Sequence, residues 1–176
     1  MIYKIAKNDF NSSDSIEAQI IYFNYPEQSD FTPSNDHNFD CEAIISVKNK
    51  LYIFSKNRGN AKTDLYRLPK VPGTYDAEYI TTFDATGLIT GATHHLENKP
   101  MLALLGIENN ETALPFVWLF YDFTEDHFFN GQQKKIELTL EGKMEAICFL
   151  NADQLLFSKE GVGEQLFTLD IDDWIP

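Results

Sequence analysis

The chain has 176 residues, 43% of them hydrophobic, which suffices for one domain with a real core. Its 27 acidic side chains against 14 basic ones give a formal net charge of −13. With no basic cluster to offset that charge, a nucleic-acid phosphate backbone is excluded as a partner, while cations, small molecules, glycans and proteins stay open.

The first strand-like text is IYKI at residues 2–5, followed by IEAQIIYF at 16–23. Together they predict a half blade over 1–24. The opening MIYKIAKNDF has no signal-peptide profile, and no apolar run along the chain reaches membrane-spanning length.

Next comes CEAIISVKNKLYIFSK, starting at Cys41, which predicts a hairpin turning at Lys48-Asn49-Lys50. The phrase returns as MEAICFLNADQLLFSK from Met144, at a constant offset of 103, turning near Ala152. A worn third copy, ITGATHHLENKPMLALLG, pivots near Asn98. The pivots are 49 and 54 residues apart, close to the length of one four-stranded propeller blade. Outer strands repeat too: TDLYRLP (63–69), PFVWLFYD (115–122) and EQLFTLD (164–170) form one set, DAEYITTFD (76–84) and KKIELTL (134–140) another. Pro72-Gly73, Asn130-Gly131 and Gly161-Val162-Gly163 mark turns between them.

These elements predict a single all-β domain over 1–176, a β-propeller of four-stranded antiparallel blades. It divides into a half blade (1–24), two blades (40–84 and 88–140) and an incomplete blade (143–176). That is about three and a quarter blades, fewer than the roughly four to eight that close a ring. The chain is therefore expected to be part of a larger ring or to be completed by association, for instance as a homodimer through open blade edges.

Chemistry is sparser. Turning at Asn49, the first hairpin places Glu42 opposite Lys56, and Ile44 with Phe54 on the same side. The second places Glu145 opposite Lys159, and Ile147 with Phe157. One reading is a repeated ion pair fastening each blade. The other is a ligand site, because innermost strands line a propeller's channel and Asp40, Glu42, Glu145 and Glu160 would converge at one mouth. Lys56, Lys159 and Arg58, the last in the turn SKNRGN, would supply its cations. Asp40, Glu42 and Glu145 are candidate Ca²⁺ ligands, and grouped carboxylates also serve acid/base chemistry. The middle copy carries Gly91 and Leu105 instead, which leaves room for a ligand or records drift. Cys41 and Cys148 match no zinc or redox spacing and read as buried thiols in corresponding strands. His94 and His95 point to opposite faces of a strand and suit packing better than metal binding. Trp118 reads as a packing residue. No GxSxG, HExxH, P-loop or GxGxxG motif is present.

The run FDCEAI…LYIFSKNRGNAKTDLYRLPKVPGTYDAEYI, followed by LITGA, ALLG and EAICFL, resembles a family of largely uncharacterised bacterial β-propeller proteins. DCEA and FSKNR are the most specific parts. The resemblance implies an exported protein whose further N-terminal segment supplies the first blade, the inner half of the next and an export signal. It carries no reaction over to named residues. The expectation is a non-catalytic module that binds a ligand or protein through one propeller rim, without a cofactor. The alternatives are a hydrolase, Ca²⁺-assisted, using the channel-mouth carboxylates, and a piece of a longer propeller with no activity of its own.

Overall fold

Strands dominate because β-branched and aromatic residues recur at period two between Gly, Pro and Asn turns. The computed structural model describes every residue except Ser12, Ser13, Asn98, Glu141, Val162, Glu164 and Pro176. The Asn98 pivot, and the expected turn and strand start at Val162 and Glu164, thus fall on residues outside the described ones. Among the described residues there are fourteen strands in four sheets, with only two single-turn 3-10 helices, at Lys7–Asp9 and Phe128–Asn130. The chain is all-β.

The first sheet contains β1 (Ile2–Lys4), β2 (Gln19–Asn24) and β6 (Gly73–Asp76). The second contains β3 (Asp40–Val47), β4 (Lys50–Lys56), β5 (Thr63–Pro69) and β7 (Glu78–Phe83), in that order. The third is β8 (Leu88–His95), β9 (Met101–Ile107), β10 (Pro115–Tyr121) and β11 (Gln132–Glu137). The fourth is β12 (Met144–Asn151), β13 (Gln154–Lys159) and β14 (Leu166–Asp170). Sheets two to four are antiparallel meanders matching the two expected four-stranded units and the three-stranded last one. One strand was not expected. The text read as a Pro72-Gly73 turn continues into β6, which crosses to the first sheet and pairs in parallel with β2 (Ile21↔Gly73 to Asn24↔Asp76). Gly73 permits the crossing: its φ is 155°, and a Cβ there would meet the Tyr75 ring.

The sheets pack face on face in chain order, and burial follows from that. Ile21 and Tyr25 meet Leu51, Ile53, Tyr66 and Leu68. The other face of the second sheet, with Ala43, Tyr52, Phe54 and Leu65, meets Leu102, Leu104, Phe116 and Phe120. The far side of the third, with Ala103, Leu105 and Val117, meets Ile147, Leu155 and Phe157. β4 and β9 are covered on both faces and are almost continuously apolar. β14, covered on one face, alternates strictly in burial. The strands β3, β8 and β12 lie side by side. His94 Nε2 lies 2.9 Å from the Ser46 carbonyl, and the Phe149 amide donates to Thr93 Oγ1 at 3.4 Å, so the C-terminal halves of the three strands meet. His95 packs beside Phe149, and the Trp118 indole donates to the Ala85 carbonyl at 2.9 Å. These histidine and tryptophan placements agree with the packing roles read from sequence.

Register departs from the simple hairpin reading. In each of β3, β8 and β12 one residue is bulged out of the ladder: Glu42, Thr90 and Glu145. Asp40 therefore stands opposite Lys56 and Ile44 opposite Ile53, where Glu42 and Phe54 were expected. Ile147 does pair with Phe157, but a second bulge between Phe149 and Asn151 shifts this hairpin by one residue relative to the first. The cysteines also correct the sequence reading. They occupy β3 and β12 as expected, yet both are exposed. Cys148 lies on the outer face of the fourth sheet, which no described segment covers.

Candidate functional site

The second sheet carries a polar cluster at each end. At the end where β3 begins, the structure brings together Asp40, Glu42, Lys56 and Arg58. Arg58 Nε donates to Asp40 Oδ2 at 2.8 Å, and Lys56 Nζ to Glu42 Oε1 at 3.3 Å. His37 Nε2 is 3.3 Å from Asp40 Oδ1, and the Arg58 guanidinium also lies 3.8 Å from Glu42. The turn is fixed by backbone chemistry: the Gly59 amide donates to Asn38 Oδ1 and the Arg58 amide to the His37 carbonyl. Beneath it runs a polar chain, buried at Ser55 and Asn57 and reaching the surface at Thr82. Ser55 Oγ donates to Asn57 Oδ1, Asn57 Nδ2 to Asp64, and Asp64 accepts from Thr82. Such satisfied networks rigidify a strand end.

Glu145, Lys159 and Glu160 do not join this cluster. Met144, and not Glu145, stands opposite Lys159, whose stem runs over Gly142. Glu145 and Glu160 are exposed. Strand β8 lies between the two acidic positions, and a Cβ at Gly91 would sit 3.3 Å from Ile147 Cγ2, so the space at Gly91 is filled by packing. The expected four-carboxylate mouth is therefore not assembled. Asp40 and Glu42 are held by cations, and no group of three or more metal-ligating side chains occurs among the described residues.

The opposite end, where the hairpins turn, holds a cluster that sequence reasoning missed. Tyr52 and Arg67 are cross-strand partners on β4 and β5. Both reach Asp126, in the β10–β11 loop of the third sheet: Tyr52 donates to Oδ2 at 2.6 Å and Arg67 at 3.0 Å, while Lys50 lies 3.6 Å away. Arg67 also grips Glu78 through two hydrogen bonds, of 2.9 and 2.6 Å. The Tyr52 hydroxyl and the Arg67 guanidinium hold the Asp126 carboxyl below the usual range, and Arg67 does the same for Glu78. Burial and the Asp126 carboxylate push the Tyr52 hydroxyl up. Asp126 thus ties two neighbouring sheets together through two hydrogen-bond donors and the Lys50 ion pair.

Hollows surround this cluster. One, of about 320 Å³, lies between Lys48, Lys50, Tyr52, Leu96, Pro100 and Asp126, with an apolar floor and charged walls. A second, of about 250 Å³, shares Lys50 and continues to Arg67 and Glu78. Others open at the same end beside β1 and beside the β12–β13 turn. Lys48 and Glu125, on opposite lips of the first hollow, both have left-handed backbone (φ 53° and 55°), a conformation that non-glycine residues seldom adopt. The only sequence signal for this site was a tyrosine and an arginine on adjacent strands. Nothing in TEDHFFN marks Asp126. No family model matches the chain, and no curated protein is significantly similar to it.

Proposed function

We propose that this chain is a partial β-propeller whose four sheets act as blades, and that it is a non-catalytic binding module using the rim at the hairpin-turn end. The observation that carries the reading is the coincidence of hollows with a charged network at that end. The sequential face-to-face sheets and the side-by-side strands β3, β8 and β12 favour the propeller. The ligand class is a small molecule, glycan or peptide with an apolar part for Leu96 and Pro100 and a polar part for Lys48, Lys50 and Asp126. The cluster at the other end is a fastener: each of its carboxylates already holds a cation.

A thermal-shift screen of small metabolites and oligosaccharides tests this. The expected hit raises the melting temperature in the wild type and in Arg58→Ala, and loses its effect in Lys50→Ala. A hit that survives Lys50→Ala but fails in Arg58→Ala would move the site to the β3 start and overturn the reading. The alternative of a Ca²⁺-assisted hydrolase draws on Asp40, Glu42 and Glu145. Under our reading, Ca²⁺ at about millimolar concentration leaves the melting temperature unchanged. A rise that disappears in Glu42→Gln would restore the hydrolase.

A further inference from the structure

The hollow between β1 and β3, also of about 320 Å³, differs from the others in its chemistry. Its wall is apolar, with Ile2, Tyr3, Ile5 and Ile44. Three of these are large hydrophobics left substantially exposed: Tyr3 at 62%, Ile5 at 42% and Ile44 at 39%. Lys4 and Lys70 flank it, with the Lys4 ammonium 3.2 Å from the Lys70 carbonyl, and no carboxylate lines it. In a chain with 27 acidic side chains and a net charge of −13, an apolar hollow bearing two cations and no acid is an exception.

The complementary surface lies at the other end of the sheet series. After β14 the chain makes a turn, Ile171–Ile175, stapled by the Trp174 amide to the Ile171 carbonyl at 2.9 Å. Asp172 and Asp173 are exposed, with Trp174 40% exposed beside them and the Lys134 ammonium 5.5 Å from its ring centroid. Partial desolvation and the neighbouring Asp153, Asp170 and Asp173 push the Asp172 carboxyl up, so this turn carries like-charge repulsion that added opposing cations would relieve.

We propose that the turn Ile171–Ile175 of one copy docks on the Lys4/Lys70 hollow of a second copy, with Trp174 against Tyr3 and Ile5 and the two aspartates against the two lysines. Charge and apolarity match on both sides. A long-range steering term adds to the match, because the patches are opposite in sign within an otherwise acidic protein. The contact is head to tail: each copy offers the hollow at its first sheet and the turn at its last. Repetition therefore builds a ring or an open chain of copies, and not an isolated two-fold dimer. This inference is independent of what the rim around Lys50 binds.

Sedimentation velocity over roughly micromolar to hundreds of micromolar protein tests it, at about 0.1 M and 1 M salt, where the screening length falls from about 10 to 3 Å. The wild type is expected to gain mass with concentration at low salt and to lose that association at high salt. The pairs Lys4→Glu with Lys70→Glu, and Asp172→Lys with Asp173→Lys, should each weaken association at least tenfold. An equimolar mixture of the two pairs should recover it, because each then offers the other an opposite charge. If Lys4→Glu disturbs folding by circular dichroism, the exposed Asp172/Asp173 pair mixed with Lys70→Glu alone gives the same readout. A wild type that stays at the mass of one chain throughout overturns the proposal. Reversed variants that associate as the wild type does, or a mixture that recovers nothing, overturn it equally.

Discussion

The hairpins β3–β4 and β12–β13 are written in nearly the same words and fold differently. Their inner strands agree: Ala43 and Ala146 follow a bulged glutamate, and Ile44 and Ile147 project to the same side. Their second strands do not. Phe54 faces forward, into the core shared with the third sheet, whereas Phe157 faces back toward that same sheet from the other side. The cause is the extra bulge between Phe149 and Asn151, since a one-residue slip turns every side chain of a strand to its opposite face. Lys56 and Lys159 are carried along, so Glu42 keeps its lysine and Glu145 loses one. A repeated phrase transmits strands; neighbours decide register. The last sheet has one covered face, and its only large aromatic on β13 must turn to it.

The largest effects probe those two phenylalanines. Phe54→Ala and Phe157→Ala should each cost about 3 kcal/mol, because both are nearly fully buried. Hydrogen exchange should then separate them. Phe54→Ala opens the seam between the second and third sheets, and Phe157→Ala only that between the third and fourth. If both variants loosen the same seam, the face reversal is wrong.

Asp126→Ala comes next, at about 2 kcal/mol, since it takes the acceptor from the Tyr52 hydroxyl and leaves Arg67 with Glu78 alone. At the turn of the second hairpin the Asp153 carbonyl accepts from the Ile171 amide, just past the last strand of its own sheet. Denaturant midpoints check this. The same residue sets a pH dependence. Its folded carboxyl titrates below the ordinary 3.8, so its stabilisation is present above that value and is lost as pH falls through the folded one. Asp126→Asn should flatten the fall in melting temperature on the acid side. An unchanged slope would mean that the carboxyl is not held by its donors.

Smaller still is the ion-pair coupling. A double-mutant cycle on Glu42 and Lys56 should give about 0.5 kcal/mol, and the matching cycle on Glu145 and Lys159 should give none. Equal couplings would show that the two hairpins share a register after all. The smallest effect belongs to removing Leu150, which is half exposed between the paired positions Phe149↔Leu155 and Asn151↔Gln154. Its deletion should cost under about 1 kcal/mol, because both pairs can persist without the bulge. A large loss would make Leu150 part of the core arrangement.

Most of the strands, and their grouping into meanders, were legible in the sequence because alternation and turn residues are local. The bulges at Glu42, Thr90 and Glu145 were not, since they answer to packing between sheets and no turn chemistry announces them. Strand β6 was missed for a related reason: GTYD is four residues long, and its partner lies some fifty residues earlier. Of the candidate site residues, Asp40, Glu42, Lys56 and Arg58 lie together because they fall within one hairpin and its turn, whereas Glu145 and Glu160, read as sharing a mouth with Asp40 and Glu42, lie apart. The Tyr52–Asp126 bond joins residues 74 apart, one of them in a loop without a motif. The cysteines were misplaced because sequence alone does not say which sheet face lacks a neighbour.

The crossing of β6 to the first sheet also has a meaning in time. Residues 2–24 leave a translating ribosome well before Gly73–Asp76, the third strand of their sheet. Their sheet stays incomplete while some fifty further residues are made, including all of β3, β4 and β5. Residues 2–24 therefore complete their sheet only once three strands of the second sheet have been made. Closure of the first sheet thus depends on a long-range pairing, which is slow to form compared with the local hairpins of the second.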